Sequence, residues 1–336
     1  MTDRYRAATP TAPSWDLAAS ADLSHSAVAG AVLADMADDD PRIVVLTADL
    51  MYSNKTSAFA ARHPDRFVNV GIAEQNMITM AAGMATFGYV PYAATFASFA
   101  SLLCAEQLRT DLAYPRLPVR VLAHHAGISL GFYGTSHHAT EDLGLLRSIA
   151  NMTVVCPCDA HSTEWALRAT ADAPGPVYLR LSRGRDVEVY SRADTAELEV
   201  GRLRLVRPGS DLAIIGNGIT VAAALEAAER LARDDGAEAA VVDAHTLRPF
   251  DSVGLCELAA RTGRLLVVEE HNVVGGVASA CADSLVDGRV DGVRLERLGM
   301  PPDDYSLIGP PVGLYRHYSL DADGILARAR SLLKAG

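Results

Sequence analysis

The sequence predicts an α/β protein made of two tandem doubly wound domains, each built on a mostly parallel sheet. Three observations carry that prediction. Short β-branched runs alternate with longer helical patterns, a βαβα rhythm that calls for parallel strands joined by crossover helices. The first such run holds Ile43-Val-Val-Leu46, unbroken apolar sequence suited to a strand buried on both faces. The rhythm lapses into polar residues over Asp186–Pro208 and then restarts, so two sheets are expected rather than one. The length of 336 residues agrees, at ~150 residues per domain.

In chain order, residues 1–20 carry Pro10, Pro13 and small polar residues and are expected to form a flexible N-terminal arm. They hold no apolar core of a secretory signal. The first domain is placed at 21–187, with strands at Arg42–Thr47, Phe67–Val70, Tyr92–Phe96, Val119–Ala123, Thr153–Cys156 and Val177–Leu181. Helices are expected near Ser26–Ala37, Ala73–Phe87, Ser98–Ala113, Glu141–Ala150 and His161–Ala171. Residues 188–208 read as a linker with weak strands. The second domain, 209–336, repeats the pattern: strands Leu212–Ile215, Ala239–Asp243 and Leu265–Glu269 alternate with helices Ile219–Ala232, Val253–Thr262 and Gly276–Leu285. A helix near Asp321–Lys334 closes it.

Several function classes are excluded at this level. The formal charge is 30 − 41 = −11 with no basic run, which argues against a nucleic-acid surface. Gln75–Ala105 contains no charge, yet Gly83, Gly88 and Pro91 interrupt it, and Asn76, Thr79, Thr95, Ser98 and Ser101 dilute it. It reads as helix, strand and helix of a buried core rather than a membrane span, so a cytoplasmic protein is expected. Five scattered cysteines make no disulfide framework; Cys156-Pro-Cys158 reads as buried thiols at a strand end. Gly216-Asn-Gly218 is half of a dinucleotide fingerprint, with Val221 where its third glycine would fall, and reads as a tight turn.

The chemistry concentrates in Phe67-Val-Asn-Val-Gly-Ile-Ala-Glu-Gln-Asn76. A strand ends, Gly71 turns the chain, and Glu74 falls in the first turn of a helix at the carboxyl edge of the sheet. Open α/β sheets bind ligands at that edge. A carboxylate at a helix start also complements the helix dipole for ~0.3–1 kcal/mol, so Glu74 alone would decide nothing. The following strand ends add Thr95-Phe-Ala-Ser-Phe99, then His124-His125-Ala-Gly127, then the loop Gly131-Phe-Tyr-Gly-Thr-Ser-His-His138. One carboxylate, two aromatic rings and several histidines on successive strand ends are the pattern of a catalytic edge.

These residues resemble a known family. Asn69-Val-Gly-Ile-Ala-Glu-Gln-Asn76, Thr95-Phe-Ala-Ser-Phe99, His125-Ala-Gly127, Asn151–Pro157 and Gly175–Arg183 are similar to the pyrimidine-binding domain of transketolases. Thr246-Leu-Arg-Pro249 and Glu269-Glu-His271 resemble the family's C-terminal domain. The resemblance covers about residues 20–336. It implies a thiamine-diphosphate-binding pyrimidine domain followed by a transketolase C-terminal domain. It implies that Glu74 is catalytic, its carboxyl hydrogen-bonding the aminopyrimidine of thiamine diphosphate, and that Phe96 and Phe99 bind that ring by stacking. By the same resemblance His125 and His137 face the sugar hydroxyls, Ser53 and Arg183 hold a substrate phosphate, and Asp49 lies near a subunit contact.

The family's diphosphate and metal site is marked by Gly-Asp-Gly, which occurs nowhere in this sequence. The resemblance therefore implies the C-terminal subunit of a split transketolase. An N-terminal subunit would hold the diphosphate and Mg2+ or Ca2+, in an α2β2 heterotetramer acting on a sugar or sugar phosphate. Two departures bear on the substrate. Gly131-Phe-Tyr-Gly134 replaces the family's Gly-Glu-Asp-Gly, and a second phosphate-binding arginine would fall near Ser26, where no basic residue stands. Poor handling of xylulose 5-phosphate and ribose 5-phosphate is the resulting expectation. The competing readings are a β-type subunit of a two-oxoacid dehydrogenase, a deoxyxylulose-phosphate-synthase-like enzyme, and a non-catalytic scaffold subunit.

Overall fold

A computed structural model describes residues 24–183 and 187–334; the expected N-terminal arm lies outside them. Helix α1 (His25–Asp39) starts at Ser24, whose hydroxyl accepts a hydrogen bond from the Ala27 N–H at 3.3 Å, the standard role of an N-cap serine. Strand β1 (Ile43–Thr47) follows, then α2 (Ser57–Arg62), β2 (Phe67–Asn69), α3 (Glu74–Thr86) and β3 (Val90–Phe96). A π-helical turn at Phe99–Leu103, one α-turn, α4 (Ala105–Gln107), and a second π-helical turn at Leu108–Ala113 occupy the region expected to be one regular helix. Next come β4 (Arg120–His124), α5 (Asp142–Ser148), β5 (Thr153–Val155), α6 (Ala160–Ala169) and β6 (Val177–Arg180).

The second half holds β7 (Arg204–Arg207), β8 (Leu212–Gly216), α7 (Thr220–Asp235), β9 (Ala239–Asp243), β10 (Thr246–Arg248) and α8 (Ser252–Thr262). It continues with β11 (Arg264–Asn272), α9 (Val277–Asp287), β12 (Arg294–Met300), α10 (Pro311–His317) and α11 (Ala322–Lys334). Two sheets result, of seven strands in the order β10-β5-β6-β4-β3-β1-β2 and five in the order β12-β11-β8-β9-β7. Each is parallel except for one antiparallel edge strand: β10 on β5, β7 on β9.

Strands β1, β3 and β4 are buried along their whole length, as their apolar runs require, and helices cover both faces of the first sheet. The first sheet changes winding direction between β1 and β3, so the loops leaving these neighbouring strands open a crevice at their carboxyl ends. Strand β10 belongs to the second half of the chain but completes the first sheet, with Thr246 opposite Val155. No helix among the described residues is long and apolar enough to cross a membrane. Cys156 and Cys158 are free, buried thiols just beyond β5, and Gly216-Asn-Gly218 is a turn closed by the Asn217 N–H donating to Thr220 Oγ1 at 2.9 Å.

Candidate active site

Every residue assigned to the site from the sequence sits at or beyond the carboxyl end of a strand in the first sheet. Beyond β1, the turn 51–56 brings Ser53 to the crevice, with Asn54 and Thr56 buried beneath it. Helix α1 packs on that turn so closely that a side chain at Gly30 would overlap the Lys55 carbonyl. Glycine is needed there for close approach, and the contact fixes where the turn lies. Beyond β2, Glu74 opens α3 and is buried. Its Oε1 accepts a long hydrogen bond, 3.4 Å, from Thr95 Oγ1 on β3. The Gln75 side chain donates to the Leu103 carbonyl at 3.0 Å and ties this first turn of α3 to the π-helical turn that carries Phe99.

Phe96, buried at the end of β3, and half-buried Phe99 stack with ring centres 5.7 Å apart and planes 26° from parallel. His125 lies edge-on to Phe96 at 4.5 Å, and His137 packs against Phe99 at 5.2 Å and Phe96 at 6.0 Å. His125 adopts φ 60°, in the left-handed region that is uncommon for any residue but glycine, and backbone held there concentrates at functional sites. Its Nδ1 is buried without a hydrogen-bond partner among the described residues. Burial, then Arg183 and His137, drives the His125 pKa down to about 3, so the ring is neutral at pH 7. Burial also lowers that of His137, whose Nδ1 lies 2.8 Å from Ser136 Oγ.

A cavity of about 380 Å³ joins Ser53, Phe96, His125 and Arg183. Glu74, Phe99 and His137 do not line it; Phe99 and His137 pack against the Phe96 ring that does. The cavity also takes in Ser24, Ser26, Tyr52, Lys55 and Tyr133, none of which the sequence reading placed among its site residues. Lys55 bears on that reading. No arginine stands at position 26, but a second cation, from the Ser53 turn, reaches the cavity that Ser26 lines. The signal was available, since Lys55 is two residues beyond the serine already assigned to an anionic group. Asp49 is exposed and its backbone N–H donates to Asn69 Oδ1 at 3.0 Å, bracing the ends of β1 and β2.

Comparison with known proteins gives the arrangement its family. Residues 21–185 match the model of the transketolase pyrimidine-binding domain, and residues 201–325 match that of the transketolase C-terminal domain. The chain belongs to the transketolase family. A Methanocaldococcus jannaschii protein, provisionally named a transketolase C-terminal section, is 38% identical over 91% of this chain and 95% of its own length. A solved split-gene transketolase, described as an inactive β4 tetramer, is 39% identical with a TM-score of 0.84, covering 93% of this chain and 99% of that one. A 1-deoxy-D-xylulose-5-phosphate synthase of Geobacter metallireducens is 37% identical, and there the chain spans about half of the relative, 49%. This transketolase-family chain thus carries the pyrimidine-binding and C-terminal domains together. Family membership implies a thiamine-diphosphate-dependent, transferase-type enzyme.

The residues present fit that cofactor's pyrimidine. A buried carboxylate with one long hydrogen bond is open to a better donor, and a half-buried aromatic face beside it offers a stacking platform. The described residues contain no group of three or more carboxylates, histidines or cysteines able to hold a metal ion.

Proposed function

We propose that this chain is one subunit of a two-subunit transketolase that moves a two-carbon ketol unit from a ketose donor to an aldehyde acceptor. The observation that carries the reading is the convergence of Glu74, the Phe96–Phe99 stack, His125 and His137 on one sheet edge. When bound, thiamine diphosphate supplies the nucleophilic carbon and electron sink that cleave the bond beside a ketose carbonyl. Glu74 would hydrogen-bond the pyrimidine ring and hold a proton at its N1′ position, while Phe99, backed by Phe96, stacks on it. Neutral His125 and His137 would hydrogen-bond the sugar hydroxyls and move protons there. Ser53 and Arg183 would orient the anionic end of the substrate.

The diphosphate and its Mg2+ or Ca2+ would be held by an N-terminal partner subunit, in an α2β2 assembly. Near-complete coverage of relatives that are themselves sections supports this. A 6-deoxy-6-sulfo-D-fructose transketolase subunit of Clostridium sp., 36% identical and 92% covered, supports a donor other than an ordinary pentose phosphate. The synthase relatives favour a second reading, a pyruvate-consuming ligation.

One experiment separates these. The chain is mixed with a Gly-Asp-Gly-bearing subunit, thiamine diphosphate and Mg2+, then offered a ketose or pyruvate with an aldehyde acceptor. Ketose-dependent two-carbon transfer by the pair is expected, with neither subunit active alone. Glu74→Ala should lower turnover by ~10²–10⁴-fold, the span of a general acid–base group, while the complex still assembles. Turnover by the single chain, turnover confined to pyruvate, or near-normal rates in Glu74→Ala would refute the proposal.

A further inference from the structure

We infer that Glu270, on β11 of the second sheet, is a positioning residue for the His125 loop; the inference rests on the functional reading above. Directly after His125, three consecutive backbone N–H groups are pegged. Ala126 N donates to the Leu181 carbonyl at 3.0 Å, Gly127 N to the Ala139 carbonyl at 3.1 Å, and Ile128 N to Glu270 Oε1 at 2.7 Å. The first two pegs come from the same domain. The third is a side chain more than 140 residues away, from the other sheet. Glu270 is fully buried, and Tyr315 of α10 donates to the same Oε1 at 2.6 Å. Its carboxylate lies where a side chain on Gly127 would have to go, so glycine at 127 (φ 59°) admits the carboxylate against the loop. Arg180 closes the arrangement, donating to the carbonyls of Glu270 at 2.9 Å and Ala139 at 3.0 Å.

The same side of the second domain braces the loop that bears His137. Ser306 Oγ lies 2.5 Å from His138 Nδ1, and Gly309 and Ile308 pack where side chains on Gly131 and Gly134 would stand. His125 is held in a left-handed conformation it would not keep unaided, and its ring must meet a sugar hydroxyl within a few tenths of an ångström. A misplacement of about 1 Å can cost ~10²-fold in rate. The grip of the second domain completes the set of contacts that over-determines that conformation.

The test uses Glu270→Ala, Glu270→Gln and Tyr315→Phe in the full chain and in the two-subunit enzyme. Amide hydrogen exchange over residues 125–131 is expected to accelerate at least ~10-fold in Glu270→Ala while strand β4 stays protected. In the assembled enzyme, kcat/KM for the ketose should fall ~10–100-fold with the thiamine diphosphate Kd within about twofold. Glu270→Gln keeps an acceptor at Oε1 and should recover kcat/KM to within about fivefold of the parent. Tyr315→Phe should fall between the two. Unchanged exchange over 125–131 in Glu270→Ala would overturn the inference. So would a Gln variant as impaired as the Ala variant, or a cofactor Kd that weakens in step with kcat/KM. Should Glu270→Ala not fold, the Gln and Phe variants decide it: normal kinetics and exchange in Tyr315→Phe, or a crippled Gln variant, would overturn it. If the parent pair shows no ketol transfer, the functional reading fails, and the exchange arm still decides whether Glu270 holds the loop.

Discussion

Replacing Arg180 by methionine should be among the most destabilising single changes in the chain, and the reason is charge rather than volume. Arg180 and Asp142 are an ion pair at 2.8 Å, with side chains 3% and 0% exposed. Tyr178 adds one hydroxyl donor to the same Asp142 oxygen at 3.0 Å, and the other carboxylate oxygen has no hydrogen-bond partner among the described residues. Arg180→Met leaves a carboxylate in the core with one neutral donor and strips the charged donor from the carbonyls of Ala139 and Glu270. Breaking one partner of a buried pair costs ~3–5 kcal/mol, and the upper half of that range is expected here. Adding Asp142→Asn removes the stranded charge while an amide oxygen can still accept from Tyr178. The double variant should therefore be more stable than Arg180→Met alone by ~1–3 kcal/mol. Urea unfolding followed by circular dichroism and fluorescence measures both, with coincident transitions required before free energies are compared. A cost below ~1 kcal/mol for Arg180→Met, or a double variant less stable than the single one, would refute the reasoning.

Asp243, at the end of β9, gives a pH dependence. Burial chiefly, with Asp159 in the same direction, raises its pKa to about 7, against the hydroxyl of Tyr190 that donates to it at 2.9 Å and against the Cys158 thiol. The unfolded carboxyl titrates near ~3.9, so the folded chain holds a proton that the unfolded chain has lost, and stability falls as pH rises from ~4 to ~7, by at most about 4 kcal/mol. Asp243→Asn should flatten urea midpoints across that window, and parallel curves for variant and parent would refute this. Lys55→Met should lower kcat/KM for a phosphorylated or sulfonated ketose by about 10–100-fold, since a charged hydrogen bond is worth ~1.5–3 kcal/mol. A neutral ketose should be little affected by the change; equal losses on both substrates would show that Lys55 shapes the cavity rather than reads charge.

The βαβα architecture was legible because each central strand of the first sheet is buried on both faces and therefore built around an apolar run. The elements that escaped lack that constraint. Strand β12, Arg294-Leu-Glu-Arg-Leu-Gly-Met300, lies at a sheet edge, half-exposed along much of its length, and carries charges that hide the run. Strand β10 has three residues and exists only because it meets β5 of the other domain, a tertiary fact with no local signal. The region 98–113 has helical periodicity, yet π-helical turns interrupt it at Phe99–Leu103 and Leu108–Ala113. Such turns are common at functional sites, and here one carries the ring proposed to stack on the cofactor.

The candidate site was legible for a different reason, and that reason also marks its limit. Glu74, Phe96, Phe99, His125 and His137 follow strand ends in chain order, and a parallel sheet sends every such end to one edge. Residues that reach the site from elsewhere have no such rule. Position 26, where a second cation is expected, is serine. In space Ser26 is already engaged: its hydroxyl lies 2.9 Å from buried His124 Nδ1, and the cavity's second cation comes from Lys55, on the turn that Gly30 of α1 seats. The cavity thus carries two cations, Arg183 and Lys55, although position 26 is serine. A motif compared position by position records only the loss. Arg183 and Lys55 both line the cavity, which bears on the expectation of weak phosphate recognition, and Tyr133 lines it too, where the family's carboxylate would be. The specificity we propose on these grounds is for a donor with an anionic end whose hydroxyls differ from those a carboxylate would read.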